Sequence, residues 1–214
     1  MHGLRLQAVI FDLDGVITDT AQFHFVAWRA LAHSLRLPFD EAFNESLKGV
    51  DRLGSLERIL AQDGRVYSAA QKHALAERKN THYRELLETM SATHLLPGAL
   101  EALRAVRAAG LKLALGSASR NAATVLQRLG IADSFDHVVD AGRVTHGKPH
   151  PETFLTAAAR LGVLPAACLG VEDAVAGVRA IKAAGMRALG VGDARVLVEA
   201  DAVIPDLRAF RLEG

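Results

Sequence analysis

The sequence predicts an α/β fold in which a parallel sheet is flanked by helices and interrupted, after its first strand, by a helical insertion. Three observations lead there. From about Leu95 onward, short apolar runs alternate with helical patterns. A glycine follows each helical pattern, where a left-handed C-terminal cap belongs. Residues 20–93 break the rhythm, with helical periodicity and no convincing strand.

Taken in order, Ala8-Val9-Ile10-Phe11 is rich in β-branched and aromatic side chains and reads as the first strand. The insertion follows, its apolar stripes formed by Phe25, Trp28, Leu31 and Leu35, then Leu56, Ile59 and Leu60, then Leu75, Tyr83, Leu86 and Leu87. Pro97 opens a helix with Leu100, Leu103 and Val106 on one face, closed by Gly110. Residues 111–116, 138–139, 167–171, 188–191 and 202–204 read as further strands. Helices are expected over 122–129, 152–161 and 174–184, before Gly130, Gly162 and Gly185. The chain therefore reads as a core, residues 1–19 and 94–214, with residues 20–93 as a helical cap. Crossing points near Thr20 and Thr93 would form a hinge, and cap closure would expel water from the site.

With 214 residues, half of them hydrophobic, the chain can bury a sizeable core without staples. Twenty-five basic against 24 acidic residues leave a formal charge of +1, too little to gather nucleic acid, so a small-molecule substrate is expected. The single cysteine, Cys168, has no partner for an internal disulfide and sits in an apolar run, which fits a reducing cytoplasm. No signal pattern and no apolar run of roughly 20 residues is present, so a soluble intracellular protein without a membrane span is expected.

Asp12 and Asp14 directly follow the first strand, at the edge of a parallel sheet where ligands bind. One carboxylate there can attack phosphorus or hold Mg²⁺ while the second moves protons, whereas Val16 and Ile17 after Gly15 rule out a calcium loop. Ser117-Ala118-Ser119-Arg120-Asn121 closes the second core strand and opens a helix, offering hydroxyls and backbone N–H groups to an anion or, alternatively, caps to the helix. Lys148, pinned before Pro149 and Pro151, offers a fixed ammonium to a phosphoryl oxygen. Glu172 and Asp173 end another apolar run, as metal ligands, with Asp173 also placed to cap the next helix. Gly142 to Lys148 nearly has P-loop spacing, but Pro149 replaces the hydroxyl residue; Gly190-Val191-Gly192 lacks the third glycine of a dinucleotide loop. His146 and His150 have helix-like metal spacing that Pro149 contradicts, so both read as loop residues.

These four groups, in this order, resemble the haloacid dehalogenase superfamily of phosphotransferases over nearly the whole chain, which implies a Rossmann-like α/β core with an inserted helical cap. Further runs, Asp14 to Thr20, Leu47-Lys48-Gly49-Val50, Arg78-Lys79-Asn80 and Ser117-Ala118-Ser119, resemble the sugar-phosphate mutases of that superfamily. The resemblance implies a Mg²⁺-dependent interconversion of β-D-glucose 1-phosphate and glucose 6-phosphate through β-glucose 1,6-bisphosphate, with a phosphorylated aspartate. It makes Asp12 the nucleophile, Asp14 the general acid and base, and Ser117 and Lys148 the holders of the transferring group. It gives Asp12, the Asp14 carbonyl and Asp173 to the metal, with Glu172 in support. Arg52, Ser119 and Asn121 would grip the non-reacting phosphate, and Thr20, His24, Trp28, Lys48, Gly49, Val50, Ser55, Lys79, Ala118 and Arg120 would line the substrate. Arg120 stands where lysine is commoner and Asp51 where serine is. The partners implied are sugar phosphates, with no nucleic acid and no membrane, and the protein is expected to act as a monomer. The rivals are a sugar-phosphate phosphatase of the same superfamily, a phosphonate hydrolase and a catalytically silent phosphosugar sensor.

Overall fold

A computed structural model of the chain describes residues 5–47, 50 and 52–212. The chain forms two compact units, Met1–Asp19 together with Ser91–Gly214, and Thr20–Met90. Among the described residues the first unit holds one six-stranded parallel sheet, built from β1 (Ala8–Phe11), β2 (Lys112–Leu115), β3 (His137–Val138), β4 (Cys168–Glu172), β5 (Arg187–Val191) and β6 (Ala202–Ile204). Its order, β3-β2-β1-β4-β5-β6, reverses direction at β1, and that point of reversal is where open α/β sheets bind ligands.

The sheet's residues alternate between two packed faces. Ala8 and Ile10 of β1 and Ala114 of β2 join Phe154, Ala157, Val178 and Ile181 in one buried cluster, which places α7 (Glu152–Leu161) and α8 (Val175–Ala183) on that face. Val9, Phe11, Leu113 and Leu115 are equally buried with the opposite parity, and Phe11 lies 5.8 Å from Phe210 between ring centroids. α5 (Ala99–Ala108) packs against β2, burying Ala99, Ala102, Leu103 and Val106. Gly110, Gly130, Gly162 and Gly185 all have positive φ just past helix ends, the conformation that a side chain resists. Gly170 has a different reason: a Cβ there would meet the Ile181 side chain at 2.6 Å, so its absence lets α8 approach β4.

The second unit consists of α1 (Ala21–Ser34), α2 (Glu41–Glu45), α3 (Arg52–Leu60) and α4 (Ala69–Leu87). Phe25, Trp28 and Leu31 from α1, Leu56, Ile59 and Leu60 from α3 and Ala76 from α4 form its core, as their periodicity predicts. α4 starts with a capping box: the Gln71 N–H donates to Ser68 Oγ at 3.3 Å, and the Ser68 N–H donates to Gln71 Oε1 at 2.8 Å. No helix among the described residues is long and apolar enough to cross a membrane.

Candidate active site

Register brings the chemistry to one level of the sheet. Phe11 sits opposite Leu115 on one side and Val171 on the other, so Asp12, Gly116 and Glu172 leave the sheet side by side. Two more ladder bonds hold that edge: the Asp12 N–H donates to the Val171 carbonyl at 2.9 Å, and the Gly116 N–H to the Phe11 carbonyl at 2.8 Å. Lys148 arrives from the loop before α7. Its Nζ donates to Asp12 Oδ1 at 2.5 Å and to Glu172 Oε1 at 3.0 Å, and lies 5.1 Å from the centre of the Phe154 ring. Burial alone would lower the Lys148 ammonium, but the charges of Asp12 and Glu172 outweigh it and hold the group above its ordinary value. For Glu172, burial acts first and the Asp12 charge second, raising the carboxyl well above its ordinary range against the pull of Lys148.

Asp12, Glu172 and Asp173 each place a carboxylate oxygen within 4.8 Å of the others. A donor set made only of carboxylate oxygens suits a hard dication such as Mg²⁺, which accepts one or two protein carboxylates and leaves room for phosphate oxygens. Two glycines shape this cluster. At Gly15, where φ is +78°, a Cβ would fall 1.9 Å from Asp173 Oδ2; at Gly177 it would fall 1.5 Å from Glu172 Oε1. Sequence reasoning missed Gly177, although a glycine inside a helix costs about 1 kcal/mol and so flags a close approach.

The capping alternatives resolve by geometry. Asp173 is not the N-cap of α8; Ala174 is, with no side-chain cap. Asn121 holds the N-cap position of α6 (Ala122–Arg128) without a side-chain cap bond, and the hydroxyls before it bond the turn that leads into the helix: Ser117 Oγ accepts the Ser119 N–H at 3.0 Å and Ser119 Oγ accepts the Asn121 N–H at 3.3 Å. Ser117 is buried, and Ala118 and Arg120 complete the turn. Asp14 begins a tight loop closed by the Gly15 N–H on the Thr18 carbonyl at 2.8 Å. Thr20 occupies the N-cap position of α1.

A second polar cluster lies inside the helical unit. Arg52 donates to Glu77 Oε1 at 2.8 Å and to Asn80 Oδ1 at 3.0 Å. Lys79 and His24 are in contact, Nζ to Nδ1, at 2.6 Å. The ammonium also faces the rings of Trp28 at 4.6 Å and Tyr83 at 4.7 Å, and His24 stacks on Tyr83. Burial, then the Arg52 charge, lowers Lys79 to about 7, and burial with the Lys79 and Arg52 charges holds His24 neutral, well below its ordinary value. Ser55 Oγ donates to the Val50 carbonyl at 3.3 Å, fixing the start of α3. Lys48, Gly49 and Asp51 lie outside the described residues. Glu77, Asn80 and Tyr83 were not among the expected site residues; the spacing of Glu77 and Asn80 from Lys79 along α4 carries no sign that they meet Arg52.

The profile of a family described as haloacid dehalogenase-like hydrolase matches residues 6–185. A β-phosphoglucomutase of Bacillus subtilis is 47% identical over 210 residues, covering 97% of this chain and 93% of its own. A phosphorylated carbohydrates phosphatase of Thermotoga maritima is 36% identical over 207 residues, covering 92% and 93%. The crystal structure of a β-phosphoglucomutase from Clostridium difficile superposes with a TM-score of 0.91 at 45% identity, covering 96% of this chain and 93% of that one. With its sheet reversing at β1 and its lysine and acids gathered there, the chain belongs to the haloacid dehalogenase-like hydrolase family.

Proposed function

We propose that the protein interconverts β-D-glucose 1-phosphate and D-glucose 6-phosphate, the activity of a β-phosphoglucomutase, through an aspartyl-phosphate and β-glucose 1,6-bisphosphate. The observation that carries this reading is the buried group of Asp12, Lys148 and Glu172 at the sheet's switch point, with Asp14 two residues beyond the proposed nucleophile. Likeness over nearly the full length to two proteins named for this activity supports it.

Phosphate monoesters react so slowly unaided that a catalyst must supply upwards of about 20 kcal/mol, more than any one contact gives. Asp12 attacks phosphorus and holds the phosphoryl group, splitting one difficult transfer into two easier ones. Asp14 protonates the departing sugar oxygen and later takes the proton from the accepting hydroxyl. Lys148 and Ser117 hold the equatorial oxygens as charge moves onto them. Asp12, the Asp14 carbonyl and Asp173, with Glu172 in support, would hold Mg²⁺, which would supply positive charge to offset that of the phosphate. Arg52, Ser119 and Asn121 grip the phosphate that is not reacting, a task that the arginine fork suits. Thr20, His24, Trp28, Lys48, Gly49, Val50, Ser55, Lys79, Ala118 and Arg120 bind the sugar phosphate. On this reading the inserted helical unit serves as the cap, and the enzyme works as a cytoplasmic monomer on free sugar phosphates.

The Thermotoga maritima relative, named as a phosphatase, favours one rival: hydrolysis at the same aspartate. Phosphorus NMR of the protein with Mg²⁺, β-glucose 1-phosphate and a trace of the bisphosphate separates the two. Growth of glucose 6-phosphate without inorganic phosphate is expected; accumulation of inorganic phosphate would replace the mutase reading with the phosphatase.

A further inference from the structure

A second cluster of ligating side chains lies on the loop that carries Lys148. His146 Nδ1 stands 3.0 Å from Glu152 Oε2, and His150 Nδ1 stands 3.9 Å from the same oxygen. The imidazole centroids are 4.6 Å apart, and one ligand atom from each of the three residues lies within 4.8 Å of the others. A tetrahedral zinc site with bonds of about 2.0–2.1 Å separates its ligand atoms by about 3.3 Å. The two distances to Glu152 bracket that edge, so small rotations of two exposed rings complete three corners. We propose that His146, His150 and Glu152 bind a borderline-soft dication of the zinc class, with solvent in the fourth position.

The surroundings prepare each ligand. Glu152, the first residue of α7, is oriented by two backbone amides: the Thr145 N–H donates to Oε1 at 2.7 Å and the His146 N–H to Oε2 at 2.9 Å. Oε1 keeps a second lone pair for a metal, and Oε2, which also accepts from His146 Nδ1 at 3.0 Å, regains one when that ring gives up its proton to a cation. Nδ1 of His150 accepts the Glu152 N–H at 3.3 Å, so that nitrogen is the unprotonated one and its lone pair faces the cluster. A long hydrogen bond of that kind yields readily to a coordinate bond. The donors also choose the ion. Two imidazoles favour zinc, nickel or copper over magnesium, which prefers oxygen alone, so this site and the acidic group at Asp12 select different cations.

Lys148 lies between the two histidines in sequence, while its ammonium is committed to Asp12 and Glu172. A dication joining His146 and His150 to the first turn of α7 would clamp both flanks of the lysine without touching its Nζ. The site therefore acts as a strap on this loop, loaded by zinc.

Calorimetric titration of Zn²⁺ into the full chain, with Mg²⁺ saturating, tests this. One equivalent should bind the unaltered protein at micromolar concentration or below. His146→Ala and His150→Ala should each weaken it at least about tenfold, the least that loss of even an outer supporting contact costs a metal site. Both variants should keep Mg²⁺-dependent turnover measured without zinc, because neither ring enters the transfer. Co²⁺ in place of zinc should give the visible absorption of a tetrahedral centre in the unaltered protein and lose it in both variants. Unchanged affinity and stoichiometry in the double variant would overturn the proposal, as would failure of the unaltered protein to take up zinc below about 0.1 mM, far above the range of structural zinc sites.

Discussion

At Lys148 a single ammonium balances two buried carboxylates, Asp12 and Glu172, both of which it touches. Removing the cation leaves like charges facing each other out of water, which costs about 3–5 kcal/mol when nothing replaces it. Lys148→Met should therefore lower the unfolding free energy by about 3 kcal/mol without Mg²⁺ at pH values above about 8, where Glu172 as well as Asp12 is ionised, and added Mg²⁺ should restore part of the loss. An equal loss with and without Mg²⁺, read from urea midpoints, would show that the acids do not share a metal. Asp12→Ala keeps Lys148 paired with Glu172, so it should abolish turnover while the circular dichroism spectrum and melting temperature stay close to the parent's. Asp12, Lys148, Glu172 and Asp173 were legible in the sequence because each stands at a strand end or is fixed by prolines, where local pattern foretells direction. The hold of Glu77 on Arg52 was not legible: the two are 25 residues apart, and only the packing of α3 on α4 joins them.

Among the elements, α8 carries a glycine where helix propensity argues for alanine. Gly177→Ala would ordinarily gain about 1 kcal/mol, but its Cβ would lie 1.5 Å from Glu172 Oε1, and Glu172 would have to leave Lys148. A lower melting temperature and a higher Mg²⁺ requirement are the expected results; a stabilised, fully active variant would show that Glu172 can turn aside freely. α1 and α4 present a different problem, an ammonium buried between them. Lys79 has a folded value of about 7 against an ordinary 10.5. Below pH 7 both folded and unfolded chains carry the charge, and the native state bears the whole cost of burying it. Between 7 and 10.5 only the unfolded chain keeps the proton, so this cost fades as pH rises. Lys79→Met should thus stabilise the protein by on the order of 3 kcal/mol at pH 6 and by much less at pH 9, since the rings of Trp28 and Tyr83 offset part of the full shift. The same gain at both pH values, measured by urea denaturation, would rule out a titrating Lys79. The helices after Leu95 were readable from the glycine that follows each and those of residues 20–93 from their apolar periodicity; β3, only two residues long, was less so, and it pairs through His137 and Val138 where 138–139 was expected.

Across the molecule, the chain leaves the sheet after β1 and returns through a short tie: Thr18 bridges Leu95, its hydroxyl donates to the His94 carbonyl at 2.7 Å, and the Leu96 N–H donates to the Ile17 carbonyl at 2.9 Å. The ends of the 71-residue helical unit are thereby held together by the sheet-bearing unit. A parallel sheet with one helical insertion follows from the alternating pattern, but its order, β3-β2-β1-β4-β5-β6, does not, because the edge that each strand joins is decided by packing between segments far apart in the chain. What no pattern disclosed is the convergence of His146, His150 and Glu152, which needs the turn through Pro149 and Pro151 to be built first. Division of labour between the units makes one further prediction. Arg52→Ala should reduce mutase flux much more than hydrolysis of a small aryl phosphate, because only the first substrate carries a distal phosphate to hold; equal losses would remove Arg52 from that role.

The pairing of Ala8 with Cys168 spans 160 residues of chain. At roughly 5–20 residues per second, a ribosome needs about ten to thirty seconds to deliver the second neighbour of β1 after β1 itself has emerged. Throughout that interval four consecutive apolar residues, destined for the centre of the sheet, have at most one edge covered, and the helical unit becomes complete in sequence only about halfway through it. Newly made chains must pass through a stage in which the hydrophobic strand ahead of the helical unit is unclosed, a stage open to aggregation and to chaperone binding.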